Sequence, residues 1–207
     1  LQNISRRTVC MSKYDFEKFY TYVPRKRIVH TMGTERSCIV ISERHYPGID
    51  ADELRCAAIL HDITKYHTYE EHVAICREHE VELGNTEKRS YRVLHQLTGS
   101  LLAADYGASP EACAAIRCHT TGKADMNALE KTLMFADYIE PSRSYDGVAE
   151  LRSYYYRLCD LNDPFAVEKS LAFAIGLTIT EVLDRGDIIH PDSINARNFL
   201  ISQCSTR

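Results

Sequence analysis

The chain has 207 residues, a formal net charge of −4 and 44% hydrophobic residues. This length is typical of one domain, no apolar run reaches the roughly 20 residues of a membrane span, and the negative net charge argues against binding to a nucleic-acid polymer. We therefore expect neither a membrane nor a nucleic acid as a partner.

The amino terminus and the cysteines favour a cytoplasmic protein. The first ten residues are polar and include Arg6 and Arg7 without an apolar stretch behind them, which is not typical of a secretory signal. The eight cysteines form no CxxC pair, so we expect reduced thiols rather than a disulfide framework.

Helical patterns follow one another along the chain. Pro24 can open a helix that ends near residue 45, and Asp50 or Asp52 can cap the next one, which leads to His61. Ser109-Pro110 is a typical helix start, with a capping serine before a first-turn proline. The remaining patterns predict helices over residues 69–80, 94–106, 129–139, 148–158, 165–183 and 191–201.

The predicted fold class is all-α, because no run of alternating β-branched residues bounded by turns is present. We expect roughly eight to ten helices in a single domain over residues 16–207, with the C-terminal helices packed on the main bundle. Residues 1–15 are expected to be a poorly ordered N-terminal extension.

The adjacent pair His61-Asp62 ends the apolar run over residues 57–60. A buried carboxylate costs several kcal/mol unless a cation or a metal ion lies beside it. Taken alone, such a pair is more often a helix end with a capped aspartate. The metal-site interpretation therefore depends on further ligands elsewhere in the chain.

Four further residues stand where an apolar helical segment ends or is interrupted, and each could reach one central cavity. They are His30, His95, His119 and Asp137. The other histidines lie in charged or turn-like surroundings. We expect these at the surface: His45, His67, His72, His79 and His190.

The donor set indicates the class of metal. Six nitrogen and oxygen donors without a thiolate suit Fe, Mn, Co, Ni or Zn. If Asp62 bridges two ions, the six residues fill seven of the about twelve positions that two octahedral ions offer. The positions left for water and substrate are typical of a catalytic rather than a structural site.

Four cations accompany these ligands. Arg27 and Arg92 each precede a predicted histidine ligand by three residues, which places the side chains on one helix face, and Lys65 and Arg143 follow other ligands closely. Together they favour phosphate oxygens as the substrate group, since arginine can grip phosphate with two hydrogen bonds. Any one of them alone is more often a solvated surface charge.

The segments around the ligands resemble a known family. They are Leu60-His61-Asp62-Ile63-Thr64-Lys65, His119-Thr120-Thr121-Gly122 with Met126, and Ala136-Asp137-Tyr138-Ile139-Glu140-Pro141-Ser142-Arg143. The order of the ligands resembles the HD-domain superfamily of metal-dependent phosphohydrolases, and the segments are similar to the bacterial YqeK family within it. The resemblance covers roughly residues 20–160 and implies an HD-domain helical bundle.

Members of the YqeK family are symmetrical diadenosine tetraphosphate hydrolases. The resemblance therefore implies hydrolysis of diadenosine tetraphosphate and related dinucleoside polyphosphates to two ADP, or to the corresponding GDP-type products. The implied cofactors are two metal ions, with iron as the expected metal. A metal-bound water would be the nucleophile.

The resemblance also implies residue roles. One ion would be held by His30, His61, Asp62 and Asp137. The other would be held by Asp62, His95 and His119. Asp62 and Lys65 would be catalytic, and Glu140 would support a ligand rather than act as a general acid. The implied substrate-binding residues are Arg27, His61, Lys65, Arg92, His95, His119, Thr120, Asp137 and Arg143.

Other interpretations stay open at this point. An HD-type phosphohydrolase could act on a different nucleotide, such as a nucleoside monophosphate, a nucleoside triphosphate or a cyclic dinucleotide. A nucleotide-binding metal protein could lack turnover altogether. The C-terminal helices could form a homodimer or dock another partner.

Overall fold

The computed structural model describes residues 12–205, and within that range the chain is helical and contains no strand. The predicted all-α class is confirmed. Two 3-10 turns span Arg25–Arg27 and Tyr91–Val93. The α-helices are α1 (Phe16–Tyr22), α2 (Ile28–His45), α3 (Ala51–Leu60), α4 (Tyr69–Glu78), α5 (Asn85–Arg89), α6 (Leu94–Asp105), α7 (Pro110–Cys118), α8 (Ala128–Ile139), α9 (Val148–Asp160), α10 (Ala166–Asp184) and α11 (Pro191–Cys204).

The described range contains one α-helix more than the upper bound of the expectation. The short helices α1 and α5 have seven and five residues, too few turns for a periodic pattern to stand out in the sequence. The longer helices begin and end within a few residues of the predicted positions.

The predicted N-terminal extension is described only in part, since residues 1–11 lie outside the described range. Beyond them, the backbone N–H of Lys13 donates to Asp52 at 2.7 Å, and the hydroxyl of Tyr14 donates to Glu53 at 2.9 Å. Residues 13 and 14 thus contact the first turn of α3. The division into an extension and a domain stays a prediction.

Local capping fixes where two important helices begin. The side chain of Asp50 accepts two backbone N–H groups in the first turn of α3. Ser109 accepts one in the first turn of α7, and Pro110 occupies its first position. A side-chain cap of this kind stabilises a helix by about 1 kcal/mol. Because α3 ends at His61 and α7 ends at His119, these caps help to place both histidines.

Helix α3 lies at the centre of the bundle, in contact with α1, α2, α6, α7 and α8. Residues 56–60 have no exposed surface, and they share one core with Ile116 of α7 and with Leu133 and Phe135 of α8. Full burial of a large apolar side chain contributes about 1.5–3 kcal/mol. This core fixes the end of α3, and with it the pair His61-Asp62.

The C-terminal helices pack onto the segment that follows His119. Gly122 has a φ of +68°, and a Cβ atom added there would lie 2.7 Å from the Cβ of Ala196 in α11. Glycine permits both the left-handed backbone and the close approach of α11.

Two general expectations can be compared with the described residues. The seven cysteines between residues 12 and 205 are all free thiols, five of them buried, which agrees with the expected reduced state. None of the helices between residues 12 and 205 has the length and apolar character that crossing a membrane requires.

The predicted surface position of His72 is wrong. Its side chain is 3% exposed and lies on the face of α4 that also carries the buried Ile75 and Cys76. Its Nδ1 lies 2.7 Å from the hydroxyl of Thr98 in α6. Charged neighbours hide this narrow apolar stripe in the sequence. The other four histidines expected at the surface are partly exposed.

We predict that His72 lowers the stability of the protein as the pH falls from about 6.5 to about 4. Burial lowers the pKa of His72 to about 4, whereas the unfolded chain takes up the proton near its ordinary value of 6.5. The stabilising contribution of the neutral ring is therefore full above pH 6.5 and lost below it. Between about pH 7.5 and 5, urea unfolding should show the wild type losing roughly 1–2 kcal/mol more than His72→Gln. Equal losses in the two proteins would contradict this prediction.

Candidate metal centre

The six predicted ligands come from five helices and meet in one cluster. Five of these side chains are buried, and that of Asp137 is 15% exposed. The α3 helix supplies two of them at its end. The contributions are His30 from α2, His61 and Asp62 from the end of α3, His95 from α6, His119 from the end of α7, and Asp137 from α8.

The shortest contacts between Nε2 atoms define two groups, and His61 and His119, which lie with Asp62 close enough to share one ion, connect them. In the first group, the Nε2 of His30 lies 3.1 Å from the Nε2 of His61 and 2.9 Å from the Oδ1 of Asp137. In the second group, the Nε2 of His95 lies 3.1 Å from the Nε2 of His119. The candidate ligand atoms of His30, His61 and Asp137 all lie within 4.8 Å of one another, which is close enough to share one ion.

Asp62 lies between the two groups. Its Oδ2 is 3.3 Å from the Nε2 of His61 and 3.6 Å from that of His30, while its Oδ1 is 3.3 Å from His95 and 3.7 Å from His119. The buried Oδ1 makes no hydrogen bond. A buried carboxylate oxygen without a partner is costly, so this atom fits a metal ligand better than a structural acceptor.

Backbone contacts set the tautomers of three imidazoles. The Nδ1 atoms of His61, His95 and His119 lie 2.7, 2.9 and 2.8 Å from the carbonyl of the residue three positions earlier. A carbonyl only accepts, so each Nδ1 donates and each Nε2 presents its lone pair to the cluster. Burial lowers the pKa of His95 and His119 below the usual value, which favours this neutral form.

The two ligand carboxylates are ionised. Burial alone would raise the pKa of Asp62, but the charges of His61, where that ring is protonated in the absence of metal, and of Lys65 hold it well below its usual range. Burial likewise opposes ionisation of Asp137, and Arg143 holds its pKa well below the usual range. Free imidazole lone pairs that face ionised carboxylates form a donor set that a divalent cation fits.

Three of the four predicted phosphate-binding cations lie at the cluster. Arg27 and Arg143 form ion pairs with the ligand carboxylates Asp62 and Asp137, respectively. The Nζ of Lys65 lies 3.0 Å from the Nε2 of a ligand imidazole and 3.6 Å from Asp62. Arg27 lies in the 3-10 turn before α2, so it reaches Asp62 rather than sharing a helix face with His30.

Arg92 is placed differently. Its backbone carbonyl accepts the Nδ1–H of His95, but its side chain is exposed and, within residues 12–205, forms no ion pair or hydrogen bond with a ligand. The side chain lines a neighbouring pocket of about 150 Å³. Thr120 borders the same pocket, and its hydroxyl lies 3.0 Å from the Nε2 of His95.

A cleft of about 630 Å³ opens above the cluster, a volume typical of small-molecule sites. Helix α10 forms the opposite wall with Thr178 and Glu181. Ligands and cations of the cluster line the floor: Lys65, His119, Thr120, Asp137 and Arg143.

Gln96 is a supporting residue that the sequence analysis missed. Its buried Oε1 accepts the backbone N–H groups of Thr120 and Thr121 at 3.0 and 3.1 Å, and its Nε2 donates to the hydroxyl of Thr121 at 3.0 Å. Gln96 therefore ties the turn after His119 to the helix that carries His95. A glutamine beside a ligand carries no sequence signal of this contact.

Glu140 lies behind His30, outside the cleft. Its carboxylate has no exposed surface and accepts the Nδ1–H of His30 at 2.9 Å. Burial opposes its ionisation, but hydrogen bonds from Ser142 and His30 hold its pKa below the usual value. This position agrees with a supporting role rather than that of a general acid.

Comparisons with known proteins identify relatives over most of the chain. A family model described as "HD domain" matches residues 27–142. The chain is 31% identical to a Bacillus subtilis protein named "Bis(5'-nucleosyl)-tetraphosphatase, symmetrical", with 85% of this chain and 90% of the relative covered. A protein of the same name from Halalkalibacterium halodurans is 32% identical, with 87% and 91% covered. Another from Staphylococcus aureus is 35% identical, with 65% and 69% covered.

A solved structure is similar as well. It is a crystal structure of a "predicted HD superfamily hydrolase involved in NAD metabolism" from Clostridium acetobutylicum, which superposes with a TM-score of 0.80. The two sequences are 33% identical, and the match covers 92% of this chain and 98% of the other.

We predict that Asp62→Asn loses metal. Asparagine keeps the shape of the side chain but offers a neutral oxygen to one group and an amide NH2 to the other, so neither group retains its shared anionic ligand. Elemental analysis of the purified variant should give at most half the metal content of the wild type. Asp160→Asn, at the exposed end of α9, is the matched control and should keep full metal content. A full metal complement in Asp62→Asn would contradict the shared role of this carboxylate.

Proposed function

The chain belongs to the HD-domain family, and on that basis we propose that it hydrolyses diadenosine tetraphosphate and related dinucleoside polyphosphates symmetrically to two nucleoside diphosphates. The observation that carries this proposal is the cluster of four inward-facing imidazole lone pairs around Asp62, together with the name shared by relatives 31–35% identical to this chain.

The proposed cofactors are two metal ions. His30, His61, Asp62 and Asp137 would hold one, and Asp62, His95 and His119 the other. Iron is the proposed metal, and the same nitrogen and oxygen donors also suit Mn, Co, Ni or Zn. Bound ions of this class polarise phosphoryl oxygens and lower the pKa of water toward neutrality.

The charges of the protein groups suit a polyphosphate. Three cations and three carboxylates lie at or behind the cluster: Arg27, Lys65, Arg143, Asp62, Asp137 and Glu140. Their charges balance, so two divalent ions would make the site strongly positive. A tetraphosphate is strongly negative and would be drawn to this site.

Lys65 is the proposed catalytic cation. Its ammonium group lies at the floor of the cleft, beside His95 and Asp62, where it can hold a phosphoryl oxygen and offset the charge that develops during attack. Arg143 and Thr120 line the same cleft and would bind further oxygens.

Symmetrical hydrolysis places few demands on acid–base groups. The oxygen of water would bond to one central phosphorus while the bond from that phosphorus to the bridging oxygen breaks, and the protons of the water would pass to solvent or to the product phosphates. Each half is then a nucleoside diphosphate. A terminal phosphate has a second pKa of about 6, so the leaving group needs no proton from the protein near pH 7. The position of Glu140 behind His30, away from the cleft, is consistent with this chemistry.

Product analysis tests the proposed reaction. We predict that the metal-loaded protein, assayed without oxygen, converts diadenosine tetraphosphate to ADP alone, because attack on the central bridge gives two equal halves. The products are identified by chromatography. The rate on diadenosine tetraphosphate is compared with the rates on nucleoside monophosphates, nucleoside triphosphates and cyclic dinucleotides as competing substrates. AMP together with ATP as products, or a faster reaction on another nucleotide, would refute the proposal.

We predict that Arg92→Ala raises the KM for diadenosine tetraphosphate about tenfold and leaves the metal content unchanged, since a hydrogen bond to a charged group contributes about 1.5–3 kcal/mol. The exposed guanidinium lines the pocket next to the cleft but touches no metal ligand. Arg36→Ala, on the exposed side of α2, is the control and should leave KM unchanged. Loss of metal from Arg92→Ala would contradict a role confined to substrate binding.

A further inference from the structure

We propose that Glu140 is a positioning residue that makes the two metal positions unequal, so that the ion at His30 binds more tightly than the ion at His95. This inference rests on the two-ion centre of the proposed function and assigns a role to a buried carboxylate that does not face the cleft.

The partner of His30 differs from those of the other three ligand imidazoles. The Nδ1 of His30 donates to the Oε1 of Glu140 at 2.9 Å, whereas the other three donate to neutral backbone carbonyls. A carboxylate makes the stronger, charge-assisted hydrogen bond. It also raises the basicity of the imidazole, and thus of its free Nε2, more than a carbonyl does.

Glu140 is held in its acceptor role from several sides. The Glu140 carboxylate also accepts the backbone N–H of Ser142 at 2.7 Å and the hydroxyl of Ser142 at 2.6 Å. Arg152 of α9 donates to the backbone carbonyls of Ile139 and Glu140 at 3.0 and 2.6 Å. The carboxylate therefore cannot swing away from His30 without loss of several hydrogen bonds.

Gly33 leaves room for this contact. It stands one turn after His30 on α2, and an added Cβ atom would lie 2.3 Å from the Oε2 of Glu140. Glycine within a helix is less favourable than alanine by about 0.5–1 kcal/mol. The close approach of Glu140 gives a physical reason for glycine at this position.

The opposite group differs in its electrostatic environment, because its two imidazoles donate to neutral carbonyls and a positive charge lies beside one of them. The Nε2 of His95 lies 3.0 Å from the ammonium group of Lys65, a positive charge that disfavours a second cation nearby. The His30 group has cations of its own, since Arg27 and Arg143 pair with Asp62 and Asp137, but each of them is matched by the carboxylate that it contacts. The anion behind His30 and the cation beside the Nε2 of His95 therefore favour the ion at the His30 group, so that this position fills first.

Calorimetric titration of the metal-free protein with Co(II) tests the inference. The wild type should bind two ions in two steps of different affinity. Glu140→Gln keeps an acceptor for His30 but removes the charge, and it should weaken the tighter step by about 10–100-fold while leaving the weaker step within about twofold. His30→Ala should abolish that same tighter step, which assigns it to the His30 group.

Two further variants separate positioning from folding. Gly33→Ala should weaken the tighter step as well, because the new methyl group would push the Glu140 carboxylate away from its hydrogen bonds to His30 and Ser142. Glu53→Gln is the matched control, a buried carboxylate bonded to Tyr14 and Ser109 outside the cluster, and it should change neither step.

Any of three results would overturn the inference. In Glu140→Gln, both steps could be weakened equally or neither step could be weakened, and in the wild type the metal could bind in a single step. Hydrolysis of diadenosine tetraphosphate by the wild type is a separate readout. A protein that binds Co(II) as expected yet hydrolyses no dinucleotide would contradict the proposed function and leave the role of Glu140 supported.

Discussion

One hydrogen bond, repeated at three places, governs the site: an imidazole Nδ1–H donated to the backbone carbonyl three residues earlier. His61 and His119 make it just after the last residue of α3 and α7, where the carbonyl no longer accepts the usual N–H from four residues later, and His95 makes it just after a 3-10 turn. Each bond satisfies a carbonyl and fixes a ring. The Nε2 lone pairs must then face the cluster, and the helix packing that buries the rings determines how closely these lone pairs meet.

The position of Asp62 among these lone pairs favours the binding of cations. A buried carboxylate with an oxygen that lacks a hydrogen bond is unfavourable unless cations surround it, and the four imidazoles supply no charge while they are neutral. Arg27 and Lys65 balance the charge of the protein groups, and the ammonium group of Lys65 also lies 3.0 Å from the lone pair of His95. In the proposed function, this arrangement would hold two cations and present a positive surface to a polyphosphate, and Glu140 would make the two metal positions unequal.

The sequence predicts the parts of the molecule that depend on local chemistry. Ser109-Pro110 predicts the start of α7, because the serine caps the helix and the proline fits its first position. Asp62 and Asp137 follow apolar helical runs, where a buried carboxylate needs a compensating partner. Contacts that depend on packing between helices distant in the sequence cannot be predicted from local patterns. The burial of His72 depends on α6, and the contact of Glu140 with His30 joins positions 110 residues apart. Neither contact has a local pattern.

A crystal structure of the metal-loaded protein, with anomalous diffraction recorded at the absorption edge of the bound metal, tests the central claim most directly. The account predicts two anomalous peaks on either side of the Asp62 carboxylate, one beside the Nε2 atoms of His30 and His61 and the other beside those of His95 and His119. A single peak, or ions bound through Nδ1 atoms with the backbone hydrogen bonds broken, would contradict it.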